Sequence, residues 1–257
     1  MNPATCITTS WDDGHPLDLR GAELLTKYGL HGTFYVPMTG ERATRTVAQA
    51  RELSGPFEVG AHTLHHVDLT GATEQQAWQE MVDSKPWLED STGKACPLFC
   101  PPKGRYSPRH LDLIRQAGYR GVRSVELLSL AFPQPQAGLL LLPTTVQAHA
   151  HGLPAYGRNV LGRAAFRNLW LYLVHGRTTD WPRLVESLLC RALQRGGVFH
   201  LWGHSWELEQ NGQWQRLEEV LRFMGQYTGQ APALTNWQVC QACQEPAEQA
   251  EAVSGGR

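Results

Sequence analysis

The sequence has no excess of charge of either sign. Its 23 Lys and Arg sit against 24 Asp and Glu, a formal net charge of −1, and no stretch concentrates basic residues. This argues against a nucleic-acid surface or an anionic membrane surface as the partner. No apolar run approaches the roughly 18 residues a membrane-spanning helix needs. The longest, AGLLLLPTTV, has the length of a strand. The first residues, MNPATCITTSWDDG, hold neither a basic segment nor a long apolar one, as a secretory signal would, so a cytoplasmic protein is expected. Cysteine is sparse and scattered, at positions 6, 96, 100, 190, 240 and 243. A reducing compartment favours free thiols there. Cys240 and Cys243 form a lone CxxC with no second pair, and read as two half-buried thiols on a C-terminal helix rather than a zinc or redox site.

What the chain does have is an ordinary globular composition, with 42% apolar and 18% charged residues, which excludes a disordered protein. Its 257 residues suffice for one large domain or two small ones. Histidine (11) and tryptophan (9) are abundant for this length. Histidine suits metal binding or proton transfer. Tryptophan suits ring-stacking pockets such as sugar sites, as well as plain core filling.

Strand-like and helix-like segments alternate. The expected strands are TCITTSW, GTFYVP, FEVGAH, PLFCPP, RGVRSV, GLLLLPTTV and GGVFHLW. Between them lie helix-periodic stretches, among them LDLRGAELLTKYGL, VAQARELS, residues 73–90 with Pro86 marking a kink or break, SPRHLDLIRQAGY with Ser107 as N-cap and Pro108 in the first turn, residues 158–175, 181–195, and WQRLEEVLRFMGQYT. TNWQVCQACQE reads as a short terminal helix, and the tail from about 246 as frayed. Repeated βα units of about thirty residues argue for a parallel sheet. No linker-like stretch divides them, so one domain over residues 1–245 is expected. About seven strands suit a closed or nearly closed barrel as well as an open sheet. The polar motifs then follow strands, and in parallel α/β folds sites are built at the C-terminal ends of strands.

Two of those motifs carry chemistry. SWDDG ends the first strand, and HTLHH follows the third. Asp and His together suit Zn²⁺ or a similar divalent ion. His62 and His66 lie four apart, which would place both imidazoles on one face of a helical turn. One Asp and two His make three ligands and leave positions for water and substrate, a catalytic rather than a closed structural site. A second carboxylate beside them could act as a base. Each motif alone is weak, since acidic turns and surface His pairs are common. Their joint placement after strands is what points to a site.

The chain resembles the polysaccharide deacetylases with the NodB-homology domain, carbohydrate esterase family 4, over about residues 5–240. SWDDG is similar to the family's hydrophobic-Asp-Asp-Gly turn, GTFYVP to its TFF strand, and HTLHH to its His-Ser/Thr-x-x-His motif. The resemblance implies a distorted (β/α)7-type barrel with parallel strands and outer helices. It implies Asp13, His62 and His66 as ligands of one divalent metal ion, most simply Zn²⁺, and Asp12 as catalytic base. His65 is interposed and reads as a surface or supporting His. The implied activity is removal of an acyl group, most simply acetyl, from an N-acylated sugar or sugar-containing precursor. A non-catalytic sugar-binding relative, or a metal hydrolase of a non-sugar amide or ester, are the alternatives.

The later motifs depart from the family. Where it has Arg-Pro-Pro-Tyr-Gly, this chain has CPPKG. Cys100 stands for the Arg that orients the base, and Lys103 for the Tyr whose backbone N–H helps bind the oxyanion. Any non-Pro residue supplies that N–H, but the guanidinium is lost, and Arg123 in RGVRSV is the candidate replacement. Cys100 itself reads as a small buried thiol. Near the last strand the family has Leu-x-His, its His serving as general acid. Here the run is FHLWGHSWEL. His204 is assigned as acid and Trp202 to the apolar pocket, with His200 the runner-up, and Glu207 is a candidate to orient His204. The Asp-Trp motif that often precedes that strand in the family is not found. His149 and His151 read as surface or site-lining residues.

Overall fold

The curvature of the sheet follows from one short connection. In the computed structural model, which describes residues 5–151, 166–176 and 178–243, nine strands form one sheet in the order β6-β7-β5-β4-β3-β2-β1-β9-β8. The strands are β1 (Thr5–Trp11), β2 (Thr33–Val36), β3 (Glu58–Ala61), β4 (Leu98–Phe99), β5 (Gly121–Arg123), β6 (Gln134–Gln136), β7 (Leu139–Leu142), β8 (Val146–Gln147) and β9 (Gly197–Gly203). β7 lies near one end of the order and β8 at the other, yet only residues 143–145 separate them. Those residues span at most about 14 Å, at roughly 3.5 Å per residue. The sheet must therefore curl until its ends nearly meet. Every pairing is parallel except the β6–β7 hairpin. The expected (β/α)7-type barrel is thus a curled, mostly parallel half-barrel with helices outside it.

The run GLLLLPTTV, expected as one strand, is two. Pro143 cannot donate to a ladder. The chain leaves β7 there and re-enters the sheet beside β9, with Thr145 N–H donating to the His200 carbonyl. The helices are α1 (Asp18–Lys27), α2 (Val47–Ser54), α3 (Glu74–Thr92), α4 (Pro108–Gln116), α5 (Phe166–Leu171) with a π turn after it, α6 (Trp181–Arg195), α7 (Ser205–Gln210), α8 (Trp214–Gly225) and α9 (236–243). α3 runs through Pro86 without breaking. Thr46, Thr73 and Ser107 each cap a helix start in a capping box. Residues 158–165 of the helix expected over 158–175, and the expected frayed tail from 246, lie outside the described residues.

Strand parity sorts side chains between two interiors. Ile7, Trp11, Phe34, Val36, Phe99, Val122, Phe199 and Leu201 pack outward against the helices in the main apolar core. Their neighbours point into the barrel, because successive side chains on a strand face opposite ways. The inward set includes Thr8, Ser10, Tyr35, Cys100, Arg123 and His200, all buried. This inner layer is polar and mostly hydrogen-bonded. Thr8 Oγ1 accepts from Asn236 Nδ2 at 2.8 Å, and Tyr35 Oη donates to Asn236 Oδ1 at 3.0 Å. Asn236 opens α9, so the C-terminal helix plugs the barrel floor. The buried Cys240 of that helix joins Tyr35, Leu98, Cys100 and Leu140 in a small apolar cluster. No helix among the described residues is long and apolar enough to cross a membrane.

Candidate active site

Parallel strands deliver their C-terminal ends to one rim. The residues just past β1, β3, β4, β5 and β9 all reach it, and they enclose a cleft of about 370 Å³. Its walls include Asp12, Asp13, His62, His66, Lys103 and His204. The motifs that lie far apart in sequence are thereby brought together.

Asp13 Oδ1 lies 3.0 Å from His66 Nε2 and 3.4 Å from His62 Nε2. The ring centres of the two histidines are 5.0 Å apart. They do not converge on a helical turn, as the four-residue spacing suggests. HTLHH is an irregular loop, with Thr63 at φ 59° and His66 at φ 55°. Asp13 sits at φ 73°. Left-handed backbone costs a non-glycine residue about 1–2 kcal/mol, and such strain gathers where side chains must be aimed. The loop is held by Glu80, whose Oε2 accepts from the N–H groups of Leu64 and His65. Glu80 Oε1 meets His65 Nδ1 at 2.8 Å, which turns His65 away from the cluster.

The donor set fits a divalent cation. His62 Nδ1 lies 2.7 Å from the Cys100 carbonyl, which can only accept, so Nδ1 carries the proton. In the neutral ring Nε2 then presents its lone pair to the Asp13 carboxylate. Two facing lone pairs repel unless a cation lies between them, and an Nδ1–H fixed by a carbonyl is the usual orientation of a metal-binding His. Asp13, His62 and His66 form one of two groups among the described residues with ligand atoms close enough for one ion. The other, Asp12 with His62 and Cys100, shares His62 and includes a thiol that burial pushes well above its ordinary pKa. Asp13 is the better anion. Burial alone would raise its pKa, but the close approach of His62 and His66 and the nearby His204 hold it well below the carboxylate range. Trp206 Nε1 donates to Asp13 Oδ2 at 2.8 Å, which leaves Oδ1 for the two histidines.

Asp12 is buried beside this cluster, and Arg123 Nη2 donates to its Oδ1. Arg123 is fully buried. Its Nε and Nη1 have no hydrogen-bond partner among the described residues, and the rings of Tyr35 and Trp202 flank the guanidinium at 5.1 and 4.9 Å. Such ring faces stabilise a cation. Gly60 makes room for this stack, since a Cβ there would lie 2.5 Å from the Tyr35 ring. Cys100 Sγ is 3.9 Å from Asp12 Oδ2, so the thiol occupies the space beside the carboxylate that an Arg at that position would fill.

His204 faces Asp13 Oδ2 at 4.0 Å. Its Nδ1 is 2.7 Å from Glu207 Oε2, and Gln147 Nε2 donates to the same oxygen at 3.0 Å. Burial would lower the His204 pKa, but the Glu207 hydrogen bond and the Asp13 and Asp12 charges outweigh it and raise it. His200 is different. It lies inside the barrel, with Nδ1 on the Pro143 carbonyl at 3.0 Å and Nε2 on Ser10 Oγ at 2.9 Å. Burial and Arg123 lower its pKa to about 3. It is a neutral strut and does not reach the cleft. Lys103 reaches it, on a left-handed turn at φ 58°. Gly104 follows at φ 63°, where a Cβ would lie 1.9 Å from Val125. His151 lines the cleft and touches Gln147 Oε1 at 2.8 Å, and His149 packs on its ring. Cys240 and Cys243 are free thiols.

Sequence reasoning missed Gln147, Trp206, Arg42 and Glu80. Trp206 had a signal, lying two residues beyond His204 in GHSWEL. Gln147 follows a strand whose break was not foreseen, and Arg42 belongs to no motif.

Fold and site together define an α/β half-barrel with three clustered side chains able to hold a cation and a buried, paired carboxylate at its C-terminal rim. The comparisons with known proteins agree on the fold. Residues 2–122 match the polysaccharide deacetylase family model, so the first half of the chain is similar to that family. YxkH of Bacillus subtilis, assigned to the polysaccharide deacetylases, is 29% identical over 119 residues, 45% of this chain and 43% of that protein. A peptidoglycan-N-acetylglucosamine deacetylase of Bacillus cereus is 26% identical over 124 residues, 47% of this chain and 57% of that one. The chain thus aligns with about half the length of these relatives. A crystal structure from Mycobacterium smegmatis, also assigned to the polysaccharide deacetylases, superposes with a TM-score of 0.68 at 14% identity, covering 96% of this chain and 92% of that one, and so shares the fold.

Proposed function

We propose that this protein is a metal-dependent hydrolase that removes an acyl group, most simply acetyl, from an N-acylated sugar. The observation that carries the reading is the Asp12–Arg123 pair beside the Asp13–His62–His66 cluster. Holding a cation needs only the three ligands. A second carboxylate, buried and aimed by a guanidinium, is what a general base requires.

A divalent ion such as Zn²⁺, held by Asp13, His62 and His66, would polarise the acyl carbonyl and make water more acidic. Asp12 takes the proton of the attacking water, and Arg123 keeps its carboxylate in one orientation. The Lys103 backbone N–H donates to the oxygen that gains charge. His204, protonated at Nε2 and steadied through Nδ1 by Glu207, gives a proton to the leaving amine. Trp202, Val125 and Leu127 supply the apolar wall of the cleft.

The match of residues 2–122 to the polysaccharide deacetylase family model supports a sugar substrate, as does the tryptophan-lined wall. The test is acetate release by the zinc-loaded protein from N-acetylated glucosamine oligomers, against simple N-acetyl amides and acetyl esters. Release from the sugars above the other two classes is expected. Turnover of only amides or esters would overturn the sugar reading, and no turnover of any class would overturn the hydrolase reading.

A further inference from the structure

Arg42 is an unexplained cation at the mouth of the cleft. It lies on the loop between β2 and α2, is exposed, and lines the cleft with Lys103. Its guanidinium carbon stands 3.5 Å from the centre of the Trp206 ring. It makes no ion pair with any carboxylate among the described residues. The neighbouring acid in sequence is Glu41, and its Oε1 faces Lys103 Nζ at 4.0 Å rather than Arg42.

The stacking decides what Arg42 can do. A guanidinium laid on an indole uses its face, and its edge keeps the in-plane fork of N–H donors. Trp206 is itself fixed by its hydrogen bond to Asp13 Oδ2. The fork is thus preorganised on a rigid platform. A neutral sugar hydroxyl would leave that positive charge uncompensated, whereas the paired oxygens of a phosphate or carboxylate match a guanidinium in charge and geometry. Arg42 and Asp13 also wall one small crevice, so an anion on Arg42 lies beside the reacting group.

We propose that the substrate is an N-acylated sugar carrying an anionic substituent, phosphate or carboxylate, and that Arg42, with Lys103, binds that substituent. The proposal rests on the deacylase reading above but is tested apart from turnover.

Binding to the zinc-loaded protein is measured by calorimetry for N-acetylglucosamine, N-acetylglucosamine 1-phosphate and N-acetylmuramic acid, which carries a carboxylate. The wild type is expected to bind at least one of the two anionic sugars about tenfold or more tighter than the neutral one. The stronger of the two identifies the anion. In Arg42→Ala that preference is expected to fall toward one. Equal affinity for all three sugars, or no binding of any, overturns the proposal. So does a preference that survives Arg42→Ala, which would place the anion on the metal instead. Acetate release from the same sugars is scored separately. Equal wild-type affinities with intact turnover refute only the anion site, and a wild-type preference without turnover refutes only the deacylase reading.

Discussion

Arg123 and Asp12 stand 111 residues apart in sequence and form a buried ion pair under the floor of the cleft. Removing one partner of such a pair leaves an uncompensated charge and costs about 3–5 kcal/mol. Arg123→Ala is expected to lose that much in urea unfolding. Arg123→Lys keeps a charge but not the fork, and is expected to fold while losing most of its kcat. An unfolding midpoint for Arg123→Ala equal to wild type would show that the pair contributes no stability.

Metal content is the second test. His62→Ala and His66→Ala are each expected to lower the bound zinc measured by mass spectrometry well below one per chain, with unchanged circular dichroism. Full occupancy in both variants would refute the ligand assignment.

Asp12→Asn is expected to keep the metal and lose activity. Asn is close in size but cannot take a proton, and removing a general base costs on the order of 10²–10⁴-fold in rate. Wild-type turnover with bound zinc would take Asp12 out of the mechanism.

The acid role of His204 makes a signed claim about pH. A general acid must be protonated, so activity falls as pH rises through its pKa. Burial lowers that pKa, and the Glu207 contact is first among the interactions that raise it. Glu207→Gln is therefore expected to move the alkaline limb of the kcat/KM profile to lower pH. A limb that stays in place would show that another group sets it.

His200 governs stability rather than chemistry. Burial, and next Arg123, hold its pKa at about 3 in the folded protein, against about 6.5 in the unfolded chain. Between those values the unfolded chain binds the proton and the native state does not. Its stabilising contribution is fully present above about pH 6.5 and declines as pH falls, by up to about 1.4 kcal/mol per unit. Urea unfolding at pH 7.5 and pH 5 is expected to show this loss in wild type and a smaller one in His200→Gln. Equal losses would mean that other groups carry the acid sensitivity.

The sequence alone determined the alternation of strands and helices, because apolar periodicity and capping residues such as Ser107 act over a few residues. It also determined that SWDDG and HTLHH end strands, and hence that they share a rim. The tertiary structure decided the rest. It split GLLLLPTTV at Pro143, since a strand can change partners only through neighbours that local sequence does not reveal. It turned His66 toward Asp13 through a left-handed loop rather than a helical turn. It separated His200 from His204 by their places along β9, one residue pointing into the barrel and the other standing beyond the strand's end. It set Arg42 on Trp206, two residues that no motif joins. Arg123 could be named as a candidate from the missing guanidinium at Cys100, but only the curl of the sheet could bring its strand's inward face to Asp12.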